Sequence, residues 1–188
     1  MPPFERICHL RGVSPWIERF APLVPAGARV LDLACGGGRH SRFFLERGAL
    51  VTCVDRNISA VSDLAGTLEI IEADLEANLP WPLADRTFDA VVVVNYLYRP
   101  LFPRLIEAVA PGGLFLYETF ALGNERYDRP SDPKHLLRPG ELLSAVAGAL
   151  QVVAYETGVE RHSVGPKVVQ RICAARTAEP VPLDRATI

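Results

Sequence analysis

Short apolar, β-branched runs alternate along this chain with longer stretches whose apolar residues recur at helical spacing. Residues 29–34 (RVLDLA) read as a first buried strand, broken by glycines at 36–38. Residues 39–47 (RHSRFFLER) follow as a helix that Gly48 ends. Leu50–Asp55 is a second strand, Asn57 a candidate N-cap for a short helix to about residue 65, and residues 68–73 (LEIIEA) a third strand. Phe88–Val94 (FDAVVVV) is the most apolar run, as a strand covered on both faces must be. Residues 100–110 carry Leu101, Leu105, Ile106 and Val109 at helical spacing, with Pro100 and Pro103 tolerable only in a first turn. Pro111, Gly112 and Gly113 signal a turn before a fifth strand at 114–119. A helix at 139–150 then leads into two β-rich segments, 151–157 and 167–175, which predict an antiparallel hairpin at one edge. The alternation implies an α/β fold, a mostly parallel sheet covered by helices on both faces.

Three stretches stand apart. Residues 1–28 form an expected N-terminal helical cap, with a helix at 15–23, and 177–188 a frayed tail. Residues 120–138 are a long polar, proline-rich connection of the kind that usually carries function, with Asn124, Tyr127 and Arg129 as candidate lid residues. At 188 residues the chain fits one domain, expected at 1–176. A formal net charge of −2 argues against general nucleic-acid binding, which depends on neutralising phosphates. No apolar run is long enough to span a bilayer and no secretory leader is visible at the first residues, so no membrane association is expected. Cys8, Cys35, Cys53 and Cys173 are scattered, which fits reduced thiols and a cytoplasmic protein. No spacing of ligands argues for a metal.

The sharpest chemical signal is the run from Val30 to Gly38 (VLDLACGGG), a strand ending in a glycine cluster that opens a helix. Such a loop lets a ligand approach bare backbone. Asp55 ends the next strand 23 residues after Asp32, where a carboxylate can accept both hydroxyls of a ribose, and Asp74 follows the third strand. Three acids ending three successive strands face one crevice beyond the carboxyl edge of the sheet. A dinucleotide fingerprint would place glycine where Ser41 stands, and no G-K-[ST] phosphate loop occurs.

DLACGGG, then VDRN, ADL, FDAVVVVN and APGGL, in that order, resemble the class I S-adenosylmethionine (SAM)-dependent methyltransferases. The resemblance implies a Rossmann-like, seven-stranded sheet whose last strand is antiparallel, with SAM as cofactor and S-adenosylhomocysteine as product. It assigns Asp32, Ala34, Gly36 and Gly38 to the methionine end, Asp55 and Arg56 to the ribose, Asp74 and Leu75 to the adenine, and Asn95 to the neighbourhood of the sulfonium. The run CGGGRHSRFF and the RPGEL before a late helix are similar to the small tellurite-resistance and thiol-type methyltransferases. The implied activity is therefore methyl transfer to a small-molecule acceptor: a thiol, an oxyanion or a small acid. A protein or RNA methyltransferase is the alternative, favoured if Arg99, Arg104, Arg126 and Arg129 form one exposed patch. A SAM-binding module without turnover is a third reading, and an NAD-dependent oxidoreductase a fourth that Ser41 disfavours.

Methyl transfer from a sulfonium disperses charge, so positioning and water exclusion matter more than acid–base work. Asn95, Tyr98 and Glu118 are the catalytic candidates, with His40, His135 and His162 as further possible bases. Tyr96, Tyr98 and Arg99 follow the fourth strand and are the candidate acceptor-binding residues. Trp16 would either close over the cofactor or fill the core. The edge hairpin beside the long loop offers a surface on which two copies could pair as a homodimer.

Overall fold

The computed structural model describes residues 12–77, 79–162 and 165–182, His162 by its backbone alone. Cys8, the first part of the expected cap, the His162 side chain and the second half of the expected tail lie outside the described residues. The chain enters through helix α1 (Pro15–Phe20), and the strands follow as β1 (Arg29–Leu33), β2 (Leu50–Asp55), β3 (Glu69–Glu72), β4 (Phe88–Val94), β5 (Val109–Phe120), β6 (Gln151–His162) and β7 (Gly165–Ala175). Helix α2 (Arg39–Glu46) joins β1 to β2, α3 (Phe102–Glu107) joins β4 to β5, and α4 (Glu141–Val146) precedes β6. The strands form one sheet in the order β3-β2-β1-β4-β5-β7-β6. Strands β1 to β5 run parallel, and β7 is antiparallel to both β5 and β6.

Alternation along the strands divides the core in two. Val30, Val51, Val92, Leu116 and Cys173 point to a layer with Trp16, Ile17 and Phe20 of α1 and Phe44 of α2. Leu31, Leu33, Val91, Val93, Phe115 and Ile172 point the other way, to Leu105 and Ile106 of α3 and Leu142 and Val146 of α4. Burying apolar side chains on both faces, at roughly 1.5–3 kcal/mol each, is what commits the central strands to this order.

The differences from expectation come from proline and glycine. The helix expected at 100–110 opens as a 3₁₀ turn at Arg99–Leu101 and becomes α-helical only at Phe102, because Pro100 and Pro103 supply no amide hydrogen. The helix expected at 139–150 is cut to Glu141–Val146 by left-handed glycines on either side, Gly140 at φ 71° and Gly148 at φ 72°. The short helix after Asn57 is a 3₁₀ turn at Ser59–Leu64, and Asn57 Oδ1 accepts from the Ser59 amide and hydroxyl just before it. The expected turn at Pro111 to Gly113 is instead a bulge inside β5, where pairing with β4 jumps from Phe88↔Val109 to Ala90↔Leu114. A Cβ on Gly113 would stand 2.9 Å from the carbonyl oxygens of both Ala110 and Phe88, so only glycine fits there.

The long connection folds back on itself. Residues 121 and 137 form a β-bridge, and the buried Asn124 donates to the carbonyls of Asp128 and Pro130 while accepting from the Val168 amide. Asn124 is thus a fastener of the loop to β7, whereas Tyr127 and Arg129 are exposed. Among the described residues no helix is long and apolar enough to cross a membrane.

Candidate active site

The sheet order turns around between β1 and β4: from β1 the chain proceeds to β2 and β3 on one side, then returns to β4 and β5 on the other. Loops leaving these two strands must part, and they leave a crevice at the carboxyl edge. The glycine run occupies that point. After Leu33 the backbone swings through left-handed conformations at Ala34 (φ 54°), Gly36 (φ 54°) and Gly38 (φ 69°) before α2 begins. A Cβ on Gly36 or Gly37 would meet nothing within 4 Å, so these residues show bare backbone to open space. A Cβ on Gly38 would lie 2.5 Å from Val61 Cγ1, so this glycine serves packing.

Asp32 is 1% exposed, beneath the loop. The Ser41 hydroxyl donates to its Oδ2 at 2.6 Å, and the Ser41 amide also bonds the carboxylate. Gly38, at the N-cap of α2, has no side chain to satisfy the first amides; Asp32, from the strand beneath, takes the one at Ser41. Burial nevertheless pushes the Asp32 carboxyl up, to about 6, against the pull of Ser41 and Arg39. Asp55 is better solvated. Its Oδ2 accepts the Gly36 amide at 2.8 Å and its Oδ1 the Asn57 amide at 3.0 Å. Each oxygen keeps a lone pair for a further donor, and Arg56 beside it is exposed. Asp74 Oδ1 accepts from the amides of Glu76 and Ala77, which folds the chain sharply after β3 around the half-buried Leu75.

Beyond β4, Asn95 adopts φ 60° and donates its amide to the Glu118 carbonyl. Tyr96 turns toward the end of β3: burial, then the carboxylates of Glu76 and Asp74, raise its phenol well above the ordinary value. The Tyr96 hydroxyl is buried, and no hydrogen-bond partner meets it among the described residues. Tyr117, fully buried in β5, donates to the Tyr96 carbonyl at 2.7 Å. Tyr98 is half-buried at the same mouth.

Arg99 is engaged within the fold. It clasps Glu141 through Nε and Nη2 at 2.6 and 3.0 Å, and donates to the carbonyls of Lys134 and Leu136. The four-arginine surface considered for a macromolecular acceptor thereby loses a member, and Arg104 pairs with Glu107. Glu118 is 2% exposed, takes the Ser14 hydroxyl at 2.9 Å, and lies within 4 Å of Lys167 and Arg171. His40 Nε2 accepts the Ser14 amide at 3.2 Å; burial, with help from Arg39, lowers its proton affinity to about 3. His135 is exposed in the long loop. Trp16 fills the core rather than covering the crevice: it is 2% exposed and donates Nε1–H to the Ile172 carbonyl.

The structure therefore gathers Asp32, Ala34, Gly36, Gly38, Asp55, Asp74, Asn95 and Tyr96 around one carboxyl edge. Sequence reasoning missed Ser41 as the partner of Asp32, Glu141 as the partner of Arg99, and Ser14. Only Ser14 carried a signal, since serine directly before proline marks a helix N-terminus.

Comparison with known proteins places this architecture. Residues 30–113 match the family model described as a methyltransferase domain. The chain is 30% identical over 177 residues to the ubiquinone biosynthesis O-methyltransferase of Burkholderia ambifaria, covering 81% of this chain and 75% of that protein. Among solved structures, TehB from Haemophilus influenzae superposes with a TM-score of 0.71 at 18% identity, over 92% of this chain and 65% of that one. The 1,6-didemethyltoxoflavin-N1-methyltransferase of Burkholderia thailandensis, solved with its acceptor and S-adenosylhomocysteine, gives 0.61 at 20% identity over 86% and 76%.

Proposed function

The chain belongs to the class I SAM-dependent methyltransferases, and on that footing we propose that it methylates a small acceptor that is acidic enough to arrive ionised: a thiol, an oxyanion or a small acid. One observation carries the proposal. The described candidate bases nearest the crevice are already committed, Glu118 to Ser14, Lys167 and Arg171, and His40 to the Ser14 amide at a proton affinity too low for a base. An acceptor that brings its own negative charge needs neither.

The residues fit the cofactor. Gly36 and Gly37 offer bare backbone to open space, and Asp55, with lone pairs to spare, stands beside them. In this reading Ala34, Gly36 and Gly38 shape the seat of the methionine end, and Asp32 supplies the negative charge that its ammonium group needs. Asp55 with Arg56 holds the ribose, Asp74 and Leu75 border the adenine, and Asn95 stands beside the sulfonium. Tyr96, from its place beside Asp74 and Glu76, serves the adenine end, which leaves Tyr98 at the mouth for the acceptor. Bound SAM supplies an electrophilic methyl group; the chain's own residues orient it and exclude water.

The test is titration with S-adenosylhomocysteine, NAD run in parallel, followed by initial rates on thiols, carboxylic acids and phenols of graded acidity. Rates that follow each acceptor's own ionisation support the reading. A rate that follows one enzyme group across all acceptors, or turnover of neutral amines alone, overturns it. Asp55→Ala should weaken S-adenosylhomocysteine by ~1–3 kcal/mol, the worth of charge-assisted hydrogen bonds.

A further inference from the structure

Residues 12–14 reach the sheet from its carboxyl edge before α1 descends toward the amino edge. Ser14, 4% exposed, is held there through both its amide and its hydroxyl. Its amide donates to His40 Nε2, its hydroxyl donates to Glu118 Oε2, and the same hydroxyl accepts the Trp16 amide at the start of α1. Two residues earlier, the Gly12 carbonyl accepts from Arg39 at 3.1 Å. Arg39 and His40 open α2, on the β1 side of the crevice, whereas Glu118 closes β5. Strand β4 lies between β1 and β5 in the sheet, so a segment held at both ends by these groups passes over the end of β4, where Val94 and Asn95 stand.

We propose that residues 12–14 form a strap that closes the cofactor crevice at the point of methyl transfer, with His40 and Glu118 as the positioning residues that latch it through Ser14. This rests on the reading that the crevice beside Gly36 and Asp55 holds SAM. The latch on the His40 side requires a neutral ring, because Nε2 must keep its lone pair to accept an amide hydrogen. The charged groups around it are Arg39 on its own helix, Asp32 beneath the first turn of α2, and Glu118 with Lys167 and Arg171 across Ser14. When the strap lifts, His40 meets water and regains an ordinary proton affinity near 6.5. The open form then binds a proton that the closed form refuses. Opening gains up to about tenfold per pH unit below 6.5 and is unaffected above it.

The experiment measures the dissociation rate of S-adenosylhomocysteine from the whole chain between pH 5.5 and 8. Wild type is compared with His40→Gln, His40→Ala and Ser14→Ala, with melting curves as a check on folding. Glutamine can accept the Ser14 amide but does not titrate. His40→Gln should therefore keep a slow dissociation at pH 8 and lose the part of the acid acceleration due to histidine, while Asp32 acts equally in both proteins. Folded His40→Ala and Ser14→Ala should release the ligand at least tenfold faster at pH 8. If His40→Ala does not fold, Ser14→Ala and the pH profile of His40→Gln decide. Dissociation within twofold of wild type in folded Ser14→Ala, or an unchanged pH profile in His40→Gln, overturns the strap. Failure of wild type to bind S-adenosylhomocysteine at all would instead overturn the assignment of the crevice.

Discussion

Replacing Asp32 with asparagine should make the protein more stable and worse at holding its cofactor. The carboxyl is buried beneath the glycine loop, and desolvation lifts it from an ordinary 3.8 to about 6. Between those two values the folded chain holds a proton that the unfolded chain has released, so stability falls as pH rises from about 4 to 6 and stays reduced above that window. The gap corresponds to a cost of ~3 kcal/mol at pH 7. Asparagine keeps an oxygen for the Ser41 hydroxyl and for its amide and has no charge to desolvate. Denaturant unfolding at pH 4, 5, 6 and 7 should therefore show the variant gaining on wild type as pH rises, by ~1–3 kcal/mol at pH 7. Affinity for S-adenosylhomocysteine should fall by at least about tenfold, because a cationic ammonium group loses its countercharge. Parallel stability profiles across pH 4–7, or a variant less stable than wild type at pH 7, would refute the desolvation argument. Unchanged affinity would refute the electrostatic one.

Other substitutions probe the frame around the site. Gly38→Ala forces a methyl group to 2.5 Å from Val61 Cγ1 at φ +69° and should cost ~2 kcal/mol or more by thermal unfolding. Arg99→Ala removes the clasp on Glu141 and two carbonyl bonds; it should cost ~2 kcal/mol and expose residues 120–138 to limited proteolysis. Intact stability with a raised KM for the acceptor would show instead that Arg99 touches substrate. Tyr117→Phe deletes one hydrogen bond to the Tyr96 carbonyl and should cost ~1 kcal/mol in denaturant unfolding, with little change in cofactor affinity.

Strands were the most legible elements in the sequence, and side-chain partnerships across the fold the least. The runs at Leu50–Asp55 and Phe88–Val94 coincide with β2 and β4, because a strand buried on both faces has to be apolar throughout and the flanking polar residues end it. The helices are shorter than their periodicity, since local proline and glycine geometry outweighs spacing at their ends. The bulge at Pro111 to Gly113 resembles a turn in sequence, and only the carbonyls of neighbouring chain explain why Gly113 is needed. The glycine cluster and the acids at 32, 55 and 74 were readable because each follows directly on a strand. Ser41 stands where the dinucleotide pattern would have glycine, and its tie to Asp32 emerges only when α2 folds over β1. Glu118 meets Lys167 and Arg171 across about fifty residues of chain, a distance at which sequence spacing has nothing to say.

The strand order has an evolutionary consequence. Because the chain reverses between β1 and β4, the groups assigned to the cofactor all come from residues 32–96. The strap proposed at 12–14, the loop at 120–138 and the hairpin of β6 and β7 all lie outside that span. The family model matches residues 30–113 alone. On the proposed assignment, changes in the flanking segments can alter the acceptor while the groups at 32–96 stay untouched, so a lineage can change its acceptor without reinventing its reagent.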